Sequence, residues 1–128
     1  MAIGVFDFIR VCKALLAPSQ AECDVTLKNL EPSEIATMLQ RSEIVLIDVR
    51  EKDEYDAAHI KGAALFPLST FDPQALPETG GKPIVFHCGI GGRSAKAVAI
   101  CQQAGLAVDS HMKGGIQAWI AAGLPVER

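Results

Sequence analysis

Residues 83–94 read Pro-Ile-Val-Phe-His-Cys-Gly-Ile-Gly-Gly-Arg-Ser, and this stretch decides the fold. Pro83–His87 is an apolar run opened by a proline, which a strand tolerates at its first position. Arg93–Ala104 places Ala97, Ile100, Cys101 and Ala104 on one helical face before Gly105 stops it. A strand buried on both faces therefore passes through a glycine-rich turn directly into a helix. Upstream, Ile44–Val49 (IVLIDV) is a second continuous apolar run of the same kind. Between the two lie a short polar helix over Glu51–Ala58, a short strand over Ala63–Phe66 and a helical turn within Ser69–Ala75. Earlier still, Val25–Lys28 reads as a weak strand, and Pro32 opens a helix with Ile35, Met38 and Leu39 on one face. Downstream, Leu106–Ser110 reads as the last strand. Ile116, Trp119 and Ile120 mark a final helix stopped by Gly123. Strands alternating with helices in this way predict an α/β domain with a mainly parallel five-stranded sheet flanked by helices.

The chain has 128 residues, a length suited to one domain with a core of its own. Its net charge of −3 leaves no general nucleic-acid footprint. The charge is uneven. Glu31 to Asp56 holds eight acids and three bases, whereas Thr79 to Val108 holds three bases (Lys82, Arg93, Lys96) and no acid. A site lined by the second stretch would favour an anion; a solvated surface is the alternative. The four cysteines, Cys12, Cys23, Cys88 and Cys101, are too few and scattered for a disulfide framework and form no CxxC pair. A reducing cytoplasm is the expected compartment, and no metal site or cofactor is expected.

Residues 1–17 read as an amphipathic helix, in which Ile3, Phe6, Ile9, Cys12 and Leu16 would share a face opposite Asp7, Arg10 and Lys13. The segment is too short and too charged to span a bilayer. It has two readings, packing on its own domain or a second copy as in a homodimer, or weak association with a membrane surface. Pro18-Ser19-Gln20 closes it, giving a helix-and-linker segment over 1–20 and a domain over 21–128.

The chemistry converges on Cys88–Ser94. In open parallel sheets, sites form beyond the carboxyl ends of the strands. The first turn of a helix offers unpaired N–H groups and a partial positive charge. Gly89, Gly91 and Gly92 let the backbone curl so that these groups converge, and Arg93 adds a cation. A cysteine held there ionises easily. The bland alternative, a buried inert thiol, suits Cys101 on its apolar helical face better than Cys88. Two other motifs compete. Gly89-x-Gly91 with Asp109 further on is part of a dinucleotide fingerprint, but Ser94 stands where its third glycine belongs. A cysteine phosphatase or arsenate reductase loop resembles C-x5-R, whereas four residues separate Cys88 from Arg93 here. The shorter arc suits a terminal sulfur better than a whole phosphate.

At these residues the sequence resembles the rhodanese-like sulfurtransferase family, as a single-domain member. Cys88–Ser94 is similar to its C-x-x-G-x-R-S loop, and Asp48-Val49-Arg50-Glu51 to its D-V-R-E strand end. Glu54-Tyr55, His59-Ile60-Lys61-Gly62-Ala63, Gly114-Gly115 through Trp119, and Gly123-Leu124-Pro125-Val126 follow in the family's order. The resemblance covers about residues 25 to 127. Ala58 departs from it where glycine usually precedes the histidine. Gly89 and Ile90 depart where many thiosulfate-using members carry Arg or Lys.

The resemblance implies a rhodanese-like fold and a sulfurtransferase. The Cys88 thiolate takes a sulfane sulfur from a small donor, thiosulfate or a persulfide, and passes it to a thiol, cyanide or protein acceptor. Cys88 and Arg93 are the expected catalytic residues. Gly89, Ile90, Gly91, Gly92 and Ser94 are expected to hold the transferred sulfur. A sulfur-carrier or interaction module working only with a protein partner is the alternative. Asp48, Arg50 and His59 are supporting residues: Asp48 orients a loop, Arg50 pairs with an acid such as Glu54, and His59 holds its turn by a hydrogen bond. His87 points to the far side of its strand, away from Cys88. Trp119 reads as core, and His111 is left without a role.

Overall fold

The structure is a computed structural model and describes residues 26–128. The amphipathic helix and linker predicted over residues 1–20, their dimer or membrane contacts, and Cys12 and Cys23 all lie outside the described residues. Among those residues, no helix is long and apolar enough to cross a membrane.

Five strands form one sheet: β1 (Lys28–Leu30), β2 (Val45–Asp48), β3 (Ala64–Leu65), β4 (Ile84–His87) and β5 (Ser110–Met112). Their spatial order is β1-β5-β4-β2-β3, and every pairing is parallel. The helices are α1 (Pro32–Gln40), α2 (Lys52–Ala57), α3 (Gly92–Gln103) and α4 (Gly115–Ala121). The helical turn read within Ser69–Ala75 is two 3-10 turns, Leu68–Thr70 and Pro73–Ala75.

Successive strand residues point to opposite faces, and the core divides accordingly. Leu46 and Val85 join Ile35 of α1 with Ile116 and Trp119 of α4 on one face. Ile47 and Phe86 join Ala97, Val98 and Cys101 of α3 on the other. A sheet covered on both sides needs apolar side chains at consecutive positions, which is why IVLIDV and PIVFH lack alternation. The tail after α4 returns to the first face: Leu124 and Val126 pack there, and the Trp119 indole N–H donates to Pro125 O at 2.8 Å.

Some elements depart from the sequence reading. The last strand is Ser110–Met112, displaced from the expected Leu106–Ser110. Leu106 instead turns off α3 with its amide on Cys101 O at 2.9 Å, and Val108 is buried beside α3 without pairing in the sheet. The first strand starts at Lys28, where Val25–Lys28 was expected. Ala104 and Ile120, expected inward, are exposed, whereas Cys101 and Trp119 on the same helices are buried.

Candidate functional site

Cys88 follows β4 at its carboxyl end, and the chain turns through Gly89, Ile90 and Gly91 before α3 begins at Gly92. Gly91 has φ +121°, a conformation that favours glycine. This turn brings the Gly91 amide to 3.1 Å from Cys88 Sγ, where it donates to the sulfur. The Ser94 hydroxyl lies 3.6 Å from the same sulfur. Burial pushes the Cys88 thiol up, but the Ser94 amide and hydroxyl and the Gly91 and Ile90 amides favour the anion more strongly. The thiol therefore sits below the ordinary value. Cys101 has no such donors, and burial alone pushes it up to about 11.

The loop is braced from outside. The Ile116 amide donates to Cys88 O at 2.8 Å and the Gln117 amide to Gly89 O at 3.1 Å. The first turn of α4 thus spends two of its spare N–H groups on the Cys88 turn. This approach requires Gly115, whose φ is +61° and where a Cβ would lie 2.4 Å from Cys88 O and 2.6 Å from both Gly89 C and O.

Arg93 does not stand free beside the sulfur. Its Nη1 and Nη2 meet Glu54 Oε1 and Oε2 at 2.7 and 3.0 Å, a two-pronged pair linking α3 to α2. The hydrogen bonds from Arg93 hold the Glu54 carboxyl down at about 2, against a partial opposing effect of burial. The expected pairing of Arg50 with Glu54 is therefore corrected. Arg50 folds back on Asp48, with Nε 3.1 Å and Nη2 2.8 Å from Asp48 Oδ2, and Nη2 also donates to Ala58 O at 2.6 Å. Asp48 and Arg50 are both buried and clamp the end of α2 to the sheet. The clamp positions the helix that carries Glu54, and Glu54 in turn holds Arg93.

The predicted residues take different places. A depression of about 350 Å³ opens over Cys88, lined by Leu68, Ile90, Gly92, Arg93 and Lys96. Ile90 is 77% exposed at its rim. Gly91 and Ser94 contact the sulfur, Ser94 from a buried position. Gly89 is not among the lining residues; its carbonyl accepts from Gln117 of α4, and a Cβ there would lie 3.3 Å from Arg93 Nη2. His59 is not among the lining residues. Its ring stacks on Tyr55 at 4.0 Å, its Nδ1–H donates to Tyr55 O at 2.9 Å, and its backbone bridges to Glu127. His87 is fully buried with Nε2 3.6 Å from Asp48 Oδ2, and burial keeps its ring below the ordinary histidine value despite that carboxylate.

Sequence reasoning missed Leu68 as a lining residue, reached Lys96 only as one of three bases in a stretch that would favour an anion, and gave His111 no role. Ser94 Oγ lies 2.8 Å from His111 Nδ1, and His111 Nε2 lies 2.7 Å from Asn29 Oδ1. Only the pairing of β1 with β5, which sets Asn29 opposite His111, reveals this row of side chains. Among the described residues, no group of three His, Cys, Asp or Glu side chains is placed to hold a metal ion.

The strand-turn-helix cradle, the acid-tethered arginine and the glycine pair beneath the turn can be compared with known proteins. A solved rhodanese-related protein from Thermoplasma volcanium is 28% identical, with a TM-score of 0.67 over 78% of this chain and 97% of its own. A Rhodopseudomonas palustris protein described as a possible tyrosine phosphatase is 30% identical, with a TM-score of 0.69 over 79% of this chain and 85% of its own. A probable adenylyltransferase/sulfurtransferase, MoeZ of Mycobacterium tuberculosis, is 37% identical over 96 residues, which are 71% of this chain and 24% of MoeZ. The chain spans less than two thirds of the length of such curated relatives. Residues 31–122, which hold the Cys88 turn and both of its braces, match the rhodanese-like domain family, and the chain belongs to that family.

Proposed function

We propose that the chain is a sulfurtransferase that carries a sulfane sulfur on Cys88. The observation carrying this reading is the Cys88 sulfur held at 3.1 Å from the Gly91 amide, in a turn whose neighbouring amides also favour its anion. The Cys88 thiolate attacks the outer sulfur of a donor. The donor's S–S bond breaks and its remainder leaves with the electron pair, as sulfite from thiosulfate or a thiolate from a persulfide. The outer sulfur stays on Cys88 as a persulfide anion, which backbone N–H groups stabilise as an oxyanion hole stabilises oxygen. An acceptor thiolate or cyanide then attacks that sulfur, and Cys88 leaves as thiolate. Two steps with a covalent intermediate give ping-pong kinetics.

A specific observation favours the second reading, a carrier that works with a protein partner. The guanidinium beside the turn is committed to Glu54, which leaves Lys96 as the other cation among the lining residues, while Ile90 stands 77% exposed at the rim as an apolar contact. Both readings use the same persulfide and differ in the acceptor.

The test is a mass spectrum after incubation with thiosulfate and, separately, with glutathione persulfide. The wild type gains one sulfur on the Cys88 peptide, and Cys88→Ser gains none. Release of that sulfur to a small thiol or cyanide supports the first reading, and a loaded Cys88 that releases it to neither points to the carrier reading. The short arc between Cys88 and Arg93 disfavours phosphate, which needs donors around three outer oxygens. Steady, Cys88-dependent hydrolysis of an aryl phosphate would move the protein to the phosphatase class instead.

A further inference from the structure

We propose that Ser94 and His111 form a proton relay for Cys88, with Asn29 fixing the tautomer of His111. The hydrogen-bond geometry assigns the direction. Asn29 Oδ1 can only accept, so His111 Nε2 carries the hydrogen between them, at 2.7 Å. His111 Nδ1 then presents its lone pair to Ser94, 2.8 Å away, and the serine hydroxyl donates to it in preference to Gly91 O, which lies farther off at 3.1 Å and already accepts from the Ala95 amide at 3.2 Å. The remaining lone pairs of Ser94 Oγ are left to accept from the Cys88 thiol at 3.6 Å.

Moving one proton along the row leaves every group satisfied. The Cys88 S–H bond breaks as its proton passes to Ser94 Oγ, and the serine's own proton passes to His111 Nδ1. The products are a thiolate, an unchanged hydroxyl now donating to that thiolate, and an imidazolium donating from Nδ1 to Ser94 and from Nε2 to Asn29. The reverse transfer returns the proton to the thiol. Ser94 touches the reacting sulfur; His111 acts through Ser94 and is a positioning residue.

The surroundings suit a coupled pair. His111 is buried, and its hydrogen-bond partners, Ser94 of α3 and Asn29 of β1, are both uncharged. The titratable group joined to it through them is Cys88. Charged neighbours along these strands are engaged elsewhere: Lys28 with Asp109 at 3.4 Å, and Lys113 with Glu31 at 3.6 Å. Burial keeps the His111 ring below the ordinary histidine value. Across this row the Cys88 thiolate is the anion that offsets the imidazolium, so in the relay the two form together.

The relay rests on the reading of Cys88 as the reacting thiol, but it can be tested without a sulfur donor. The rate of Cys88 alkylation by iodoacetamide is followed from about pH 5 to about pH 9, across the range where histidine and activated thiols titrate. In wild type, reactivity develops at low pH. In His111→Gln, which keeps an amide in the place of the ring, it rises in a single step at higher pH. The rate near neutral pH falls roughly tenfold, the effect of about one unit in the thiol's ionisation, and the two proteins converge at the alkaline end. Ser94→Ala behaves as His111→Gln, and Asn29→Asp, which favours the imidazolium, shifts the profile to lower pH. Superimposable profiles for wild type and His111→Gln overturn the relay, as does an equal drop at every pH. If His111→Gln fails to fold, the His111 ring titration is followed by NMR in wild type and in Cys88→Ser. Loss of the thiolate lowers its pKa in the variant, and identical titrations overturn the proposal. A protein that shows the relay profile yet takes up no sulfur sinks the transfer reading and leaves the relay standing.

Discussion

Replacing Gly115 by alanine tests whether α4 shapes the Cys88 turn. The new Cβ would lie 2.4 Å from Cys88 O and 2.6 Å from Gly89 C and O, all backbone atoms that no rotamer change can move. The substitution also forces an L side chain into φ +61°. Left-handed backbone costs roughly 1–2 kcal/mol and overpacking about 1–3 kcal/mol. Relief by withdrawing α4 would give up the Ile116 and Gln117 hydrogen bonds to Cys88 O and Gly89 O, each contributing roughly 1 kcal/mol. A destabilisation of about 4 kcal/mol results, a large part of the roughly 5–15 kcal/mol that holds a domain folded. At a urea m-value near 2 kcal/mol per molar, the unfolding midpoint falls by about 2 M. Gly92→Ala is the control: a Cβ there meets nothing within 4 Å, and helical backbone tolerates it, so its stability stays within about 0.5 kcal/mol of wild type. The assay is urea unfolding of both variants, with Cys88 alkylation measured on the folded fraction. A Gly115→Ala protein as stable as Gly92→Ala, with unaltered Cys88 reactivity, refutes the brace.

Other perturbations separate the remaining supports. Asp48→Asn strands the Arg50 guanidinium in a buried site and destabilises by about 3–5 kcal/mol, read by urea unfolding. The Glu54 carboxyl is held at about 2 in the folded protein against an ordinary 4.5, so its contribution is present above pH 4.5 and is lost as the pH falls towards 2. Both partners of that pair are 38% exposed, and solvent screening limits the contribution to about 1 kcal/mol. Wild-type and Glu54→Gln unfolding midpoints therefore converge over that interval, and Glu54→Gln takes up sulfur more slowly at neutral pH because Arg93 loses its anchor. Cys101→Ser retains full sulfur uptake by mass spectrometry, because the Cys101 thiol is buried and pushed up to about 11.

The parts legible in the sequence are those encoded locally. The continuous apolar runs announced β2 and β4 because a doubly covered sheet needs both faces apolar. The glycines and arginine after His87 announced the turn because it is built from neighbouring residues. What escaped was set by contacts between distant segments. Ser110, His111 and Met112 do not read as a buried strand, since the partners that satisfy His111 sit on α3 and β1. Leu106–Val108 imitated a strand because it is apolar, but that surface covers the end of α3. Arg50 was matched to Glu54 by helical spacing, which does not apply to a residue that precedes the helix. With α2 starting at Lys52, the guanidinium reaches back two residues to Asp48, and Glu54 is left for an arginine 39 positions away.

The dependence of the Cys88 turn on α4 also sets an order of events during synthesis. Cys88 emerges from the ribosome well before Gly115, Ile116 and Gln117, and β5, which completes the pairing of β1, arrives only shortly before them. Until those residues emerge, neither the Cys88 nor the Gly89 carbonyl has its α4 donor, and His111 has not yet reached Ser94. A partly synthesised chain thus exposes a thiol without its bracing helix or its histidine. The turn gains its braces only with the long-range pairing that closes the sheet, and pairing of that kind forms late.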